Sequence, residues 1–229
     1  MKPSYTLISP YLGELQWDKV PTDALLAEQL AWMDLLNVEF AEQFLEIRQG
    51  FTALSIYWKS TENQTQFQNS IHRLQVKKHE LPSSVWMLPV CYDPAFGRDL
   101  GSLALIHRMT ANQLIELHSS ATYRLHFFGF LPGFMYLNGL SERLHTPRKA
   151  IPDRKVEEGS VAIGGSQTGI YPTESPGGWH LIGRCPLPLF DPMKSPPVWA
   201  KPGDLVRFEP IGMEEMERLL QNPIPPKVL

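Results

Sequence analysis

The stretch that most constrains this chain runs from Ile163 to Pro192 and reads IGGSQTGIYPTESPGGWHLIGRCPLPLFDP. Its first half carries Gly164, Gly165, Gly169, Pro172, Pro176, Gly177 and Gly178. Glycine admits positive φ and close backbone approach, and proline fixes φ, so such a segment follows one unusual path. A disordered linker shares that composition but lacks large apolar residues such as Ile163, Ile170, Tyr171, Trp179, Leu181, Ile182 and Phe190. Between them lie Ser166, Gln167, Thr168, Thr173, Glu174 and Ser175, polar residues with little evident structural use. An ordered functional loop fits this pattern. A set of tight turns in a β-barrel is the alternative reading.

At 229 residues the chain suffices for one large or two modest domains with cores of their own. The net charge of −3 is spread along the chain, which argues against a nucleic-acid footprint or a polybasic membrane patch. No run approaches the roughly 20 apolar residues that span a bilayer, and the N-terminus lacks a signal-type apolar core, so a cytoplasmic protein is expected. Cys91 and Cys185 have no metal-ligand spacing and read as reduced, partly buried thiols. Most of the 21 prolines lie beyond Leu81, which predicts a turn-rich β half after a more helical one.

In the first half, residues 4–18 read as a strand and turn, and Pro21-Thr22-Asp23 opens a helix with Leu25, Leu26, Leu30, Met33 and Leu36 at helical spacing. Residues 44–47 and 52–58 form a hairpin candidate around Gly50, and 60–78 an amphipathic helix. With a closing strand at Val85–Tyr92, this order suggests the split βαβ pattern of a ferredoxin-like α+β layer. The boundary is placed at Leu81–Ser84, giving domains 1–84 and 85–229. In the second half, Asp99 and Thr110 cap short helices and His118 falls on a last turn. Tyr123–Phe130 is an aromatic strand entering the Pro132-Gly133 turn. Arg143, Arg148 and Lys149 concentrate cations near Pro147, either as a solvated loop or as an anion receiver. Ser160–Ile163 and Trp179–Arg184 read as partner strands, and Leu205–Phe208 as another, so this half is expected to be a turn-dense, closed β-barrel. Met213–Gln221 reads as a helix, followed by a loose tail.

Several chemistries fail on the residues. The Gly164–Thr168 segment is not a nucleophile elbow, since Thr168 stands where glycine is required. No P-loop, no HExxH and no G-x-G-x-x-G following a strand occurs. What remains is a glycine-rich wall of backbone N–H donors, flanked by hydroxyl and amide side chains and by Arg143, Arg148, His180 and Arg184. Such a wall suits a carboxylate, an amide or a phosphate but supplies no nucleophile, which suggests a binding or half-site function.

The segments GFLPGFMYLNGL (129–140), RLHTPR (143–148), GSVAIGGSQTGIYPTESPGGWHLIGR (159–184), PLPLFDP (186–192) and KPGDLVRF (201–208) closely resemble the family of 5-oxoprolinase B subunits. That family is also described as KipI-like or allophanate hydrolase subunit 1-like, of the carboxyltransferase subdomain C and D type. The turn at Tyr92–Leu100 and IELHSSATYR at 115–124 also fit. The resemblance covers 85–229 by motif and the first domain by pattern. Glu157-Glu158 and Cys185 depart from it.

The resemblance implies a ferredoxin-like domain followed by a cyclophilin-like barrel. It also implies work beside two companions, a C subunit of the allophanate hydrolase subunit 2 or KipA type and an A subunit. Together they carry out the ATP-dependent opening of 5-oxo-L-proline to L-glutamate. ATP is then a co-substrate, at a site shared between this chain and a companion or held by one of them. No biotin attachment motif occurs in this chain. On the same resemblance, His118 is the expected proton-transfer group and Arg143 and Arg148 steer anions. Gln167, Thr168, Gly169, Tyr171 and Ser175 position the lactam or face the partner. Phe130, Pro132, Phe134, Tyr136, Pro176, Gly177, Gly178 and Trp179 line the pocket or the partner contact. Two alternatives stay open: a KipI-like inhibitor of a sensor histidine kinase, and a part of an allophanate- or urea-type carboxyltransferase.

Overall fold

A computed structural model describes residues 3–229, and the chain divides into two compact units, Met1–Leu81 and Pro82–Leu229. In the first, β1 (Ser4–Ser9) and β2 (Leu12–Gln16) precede α1 (Asp23–Glu39); β3 (Phe44–Gln49), β4 (Ala53–Trp58) and α2 (Thr61–Ser70) follow. Thr22 and Ser60 start the two helices by accepting the main-chain N–H groups of Leu25 and Asn63, both at 3.2 Å. The sheet is antiparallel in the order β1-β2-β4-β3. Leu54, Ile56 and Trp58 alternate inward along β4 and meet Leu25, Trp32 and Leu36 of α1 and Phe67 of α2.

This is an α+β layer, but not one completed as the sequence pattern suggests. Residues 4–16 form a hairpin rather than one strand, and β1 takes the sheet edge beside β2. The strand expected to close the layer, now β5 (Val85–Cys91), belongs to the second unit, where it pairs with the barrel. The second helix also ends earlier than expected, at Ser70, followed by a single 3-10 turn at Ile71–Arg73.

The second unit continues from β5 through α3 (Leu100–Ile106), α4 (Ala111–Ser119), β6 (Tyr123–Phe128) and β7 (Met135–Asn138). Then come β8 (Asp153–Val156), β9 (Ser160–Gly164), β10 (Gln167–Ile170), β11 (Ser175–Gly177) and β12 (His180–Arg184). The unit finishes with β13 (Leu205–Ile211), α5 (Met213–Gln221) and β14 (Lys227–Val228). Seven strands close a barrel in the order β12-β9-β10-β7-β6-β13-β5, with β5 returning to β12. All neighbours are antiparallel except β5 and β13, which run parallel from Val85↔Leu205 to Cys91↔Ile211. The seam between β5 and β12 is a single pairing, Cys91↔Arg184. The tail read as loose supplies β14, which covers the rest of that edge opposite Trp86 and Met87.

Alternation along the strands gives the barrel wall two faces. Val161 and Ile163 of β9, Ile170 of β10, and Met135 and Leu137 of β7 join the interior core. Ala162 of β9 and Tyr136 of β7 belong instead to a separate outer cluster with Phe134, Val156, Tyr171, Trp179 and Leu181. The functional question concerns this outer face. Among the described residues no helix is long and apolar enough to cross a membrane.

Candidate functional site on the outer barrel wall

Trp179 explains two of the glycines. A Cβ on Gly164 would lie 2.5 Å from the indole ring, and one on Gly169 would lie 2.8 Å from the Met135 carbonyl and 3.1 Å from both Phe134 and Trp179. Their side-chain positions are thus filled by an aromatic ring lying over the β9–β10 hairpin. The expected wall of free N–H donors is not formed there. Gly165 N–H donates to Thr146 O at 2.6 Å, Tyr171 N–H to Ser160 O at 3.0 Å, and β9 and β10 pair from Gly164↔Gln167 to Val161↔Ile170. The glycine content serves close packing and sheet pairing.

Around Trp179 the rings interlock, Phe134 meeting Trp179 and Tyr171 edge to face and Tyr136 at a tilt. Phe134 lies 5.5 Å from Trp179 and 5.2 Å from Tyr171, and Tyr136 lies 5.1 Å from Phe134. Phe130 completes the cluster at 5.6 Å from Phe134 and 6.4 Å from Tyr171, yet it is 61% exposed and sits at φ 67°. A phenylalanine held exposed in the left-handed region is strained, and such strain persists where the surroundings use it. The Arg148 guanidinium lies 5.6 Å above the Trp179 ring. Burial pushes the Tyr171 hydroxyl up to about 12, outweighing its hydrogen bond with the Trp179 main chain and the charge of Arg148. It is therefore a neutral phenol, able to donate but unsuited as a base. The Ser175 hydroxyl is buried with no hydrogen-bond partner among the described residues, although it stands next to this cluster on β11 opposite Val156. Gln167 is half-buried at the start of β10, Pro132 lies on a turn at the margin, and Pro176 is exposed in the middle of β11. Gly177 faces the Tyr171 hydroxyl, where a Cβ would come within 2.3 Å, and Gly178 lies beside Pro152.

Three expected site residues lie elsewhere. His118 is fully buried inside the barrel, stacked 4.7 Å from Phe208. Thr168 is equally buried, because alternation on β10 points it inward while Gln167 and Gly169 face out. The Thr168 hydroxyl donates to Ala162 O at 3.0 Å, so it accepts from Nε2 of His118 at 2.9 Å, and Nδ1 accepts from the Tyr92 hydroxyl at 2.8 Å. Burial lowers His118 to about 3, so the ring is neutral. With no route to a substrate, it holds the core together rather than shuttling protons at this surface. Arg143 is exposed on a 3-10 turn (Glu142–Leu144), apart from the aromatic contacts. Both cysteines are free and buried, and burial pushes the Cys185 thiol up to about 12. The departing Glu157 pairs with Arg184 at 3.0 Å, by a small cleft also lined by Phe96, Arg98 and Lys155. Among the described residues no group of His, Cys, Asp and Glu could hold a metal ion.

The sequence matches the carboxyltransferase domain, subdomain C and D, over residues 12–200. The 5-oxoprolinase B subunit of Escherichia coli O157:H7 is 52% identical over 123 residues, which cover 54% of this chain and 56% of that protein. The B subunit from Bacillus subtilis (strain 168) is 35% identical, covering 75% of this chain and 78% of its own length. Its Haemophilus influenzae counterpart is 36% identical, covering 85% and 92% respectively. The chain belongs to the family of 5-oxoprolinase B subunits. The match to the Escherichia coli protein spans little more than half of it, whereas the other two are covered over most of their length. A solved urea carboxylase from Kluyveromyces lactis shares the fold, with a TM-score of 0.80 at 17% identity over 98% of this chain and 23% of that one.

In this family member the segment carrying Arg148 is fixed by residues that the motifs do not single out. Lys149 Nζ lies 2.6 Å from Asp99 and 2.7 Å from Asp153, and Arg98 pairs with Asp153 at 2.6 Å. Asp99 is legible in sequence as a helix cap, but its carboxylate accepts the Leu181 N–H at 2.7 Å instead. No periodicity reveals that exchange, since it depends on a contact 82 residues away.

Proposed function

We propose that this chain is the B subunit of an ATP-dependent 5-oxoprolinase, acting with the A and C subunits to open the lactam of 5-oxo-L-proline to L-glutamate. The observation that carries the reading is the identity of 35–52% with three proteins of that name. The outer barrel face supplies a matching chemistry. A small cyclic amide with a carboxylate needs a cation, an apolar wall and a few hydrogen-bonding groups. Arg148 is the cation, the exposed Phe130 ring and the half-buried Tyr136, backed by the buried Phe134, Tyr171 and Trp179, form the wall, and Gln167 is the polar group.

This set binds and orients but holds no nucleophile. The neutral Tyr171 phenol and the enclosed His118 leave the face without a general base. Nor does the β9–β10 hairpin fit a triphosphate, because its strands are paired with each other and Gly164 and Gly169 lie under Trp179. We therefore assign the nucleotide and the proton-transfer group to the companion subunits, with this face as one half of a shared site. The cyclophilin-like description of the barrel and a cytoplasmic location belong to the same proposal.

The test is co-expression of this chain with the A and C subunits and measurement of ATP-dependent glutamate release from 5-oxoproline. Release that persists when this chain is omitted overturns the proposed membership of the complex. Unchanged turnover and subunit pairing in the Gln167→Ala, Arg148→Ala double variant overturns the site.

A further inference from the structure

We propose that Lys149 is a positioning residue for Arg148, holding its guanidinium over Trp179; the proposal rests on the assignment of Arg148 to the substrate site. The main chain is tied down on either side of Arg148. Pro147 O accepts from Nε2 of His180 at 3.0 Å, and Lys149 N–H donates to Gly178 O at 2.8 Å. Gly178 and His180 are the two neighbours of Trp179. Arg148 is thus pinned, residue for residue, alongside the ring it covers.

Two main-chain contacts do not by themselves stop an exposed arginine segment from peeling away. The Lys149 side chain supplies the third point. Its side chain is only 16% exposed, and its ammonium bridges two carboxylates that come from different elements. Asp99 precedes α3 and exchanges main-chain contacts with β12, since its N–H donates to Leu181 O at 3.0 Å and its carboxylate accepts Leu181 N–H. Asp153 opens β8 and is also held by Arg98. Burial raises the Asp153 carboxyl, but hydrogen bonds from Lys149 and Arg98 outweigh it and hold it below its ordinary range. Two cations and two carboxylates form a closed, neutral set. Removing the Lys149 charge leaves Asp99 and Asp153 with one cation between them, so the carboxylates repel and the 147–153 segment loses its anchor. Lys149 itself cannot receive substrate, because its charge is already engaged on both sides. Its effect passes through Arg148.

The experiment compares Lys149→Met, Lys149→Arg, Arg148→Ala and the Lys149→Met, Arg148→Ala double variant in the assembled complex, with folding of each chain followed by thermal unfolding. Lys149→Met is expected to raise KM for 5-oxoproline about tenfold with kcat within about twofold, and Lys149→Arg to restore most of that loss. In the Arg148→Ala background, Lys149→Met is expected to add less than about twofold, the mark of two residues acting as a unit. An equal effect of Lys149→Met with and without Arg148, or no effect on KM in the folded variant, overturns the positioning role while leaving the site intact. Unchanged KM in Arg148→Ala alone overturns both. Should Lys149→Met fail to fold, Asp99→Asn weakens the same bridge at the opposite end and is read by the same KM and coupling criteria.

Discussion

Nε2 of His118 donates to the Thr168 hydroxyl at 2.9 Å, and that hydroxyl donates its own proton to Ala162 O at 3.0 Å. Together with the Tyr92 hydroxyl on Nδ1, this makes a one-way chain through the barrel interior that links α4 to β10 and β9. Thr168→Val keeps the shape but strands the ring N–H and the carbonyl, so it should cost about 2 kcal/mol of stability. Specific activity of the folded chain in the assembled complex should stay unchanged. Urea denaturation and turnover measured on one preparation check this, and a collapse of kcat without loss of stability would return the pair to the chemistry.

The same histidine makes the barrel acid-sensitive in a defined window. Its folded pKa of about 3 lies below its ordinary 6.5, so the unfolded chain binds a proton that the native chain refuses. Its contribution is complete above pH 6.5 and is lost as pH falls from there toward 3, at up to about 1.4 kcal/mol per pH unit. His107, lowered by burial and by the charge of His180, acts in the same direction. Unfolding free energy measured from about pH 7.5 to about pH 5 should fall more steeply in the native sequence than in His118→Gln.

Gly164→Ala should cost about 1–3 kcal/mol, because the added methyl meets the Trp179 ring at 2.5 Å. A shift in urea midpoint with an unchanged slope would report that cost. Loss of 5-oxoproline binding with full stability would instead point to a direct contact between this position and the ligand.

Phe130 offers a backbone test. At φ 67° glycine is at ease and alanine is not, so Phe130→Gly should be more stable than Phe130→Ala by about 1 kcal/mol. Both should lower activity of the complex equally if the exposed ring is what the site requires. Thermal unfolding and glutamate release on the two variants separate strain from ring loss.

Much of the barrel was readable because its signals are local. Thr110 caps α4 with the full reciprocal bond to Gln113, α5 spans Met213–Gln221 as its spacing implies, and β9 and β12 pair as their sequences suggest. The site was harder to read. Gly164 and Gly169 look like a ligand cradle in sequence, yet the ring that fills their space is 15 and 10 residues further on. Thr168 and Gln167 are neighbours with similar chemistry, and only the strand's alternation separates core from surface. The closing strand of the first unit was misplaced for a related reason. Val85–Cys91 has the same apolar pattern in either sheet, and its partner is chosen by contacts that local pattern does not encode.

The parallel pairing of β5 with β13 carries a consequence for synthesis. Val85 meets Leu205 only after 205 − 85 = 120 further residues have emerged, whereas the first unit pairs all its strands within its own 81. On the ribosome, the first unit can therefore be complete while β5 still presents a bare apolar edge. Slow translation prolongs the time that this strand waits for its partner.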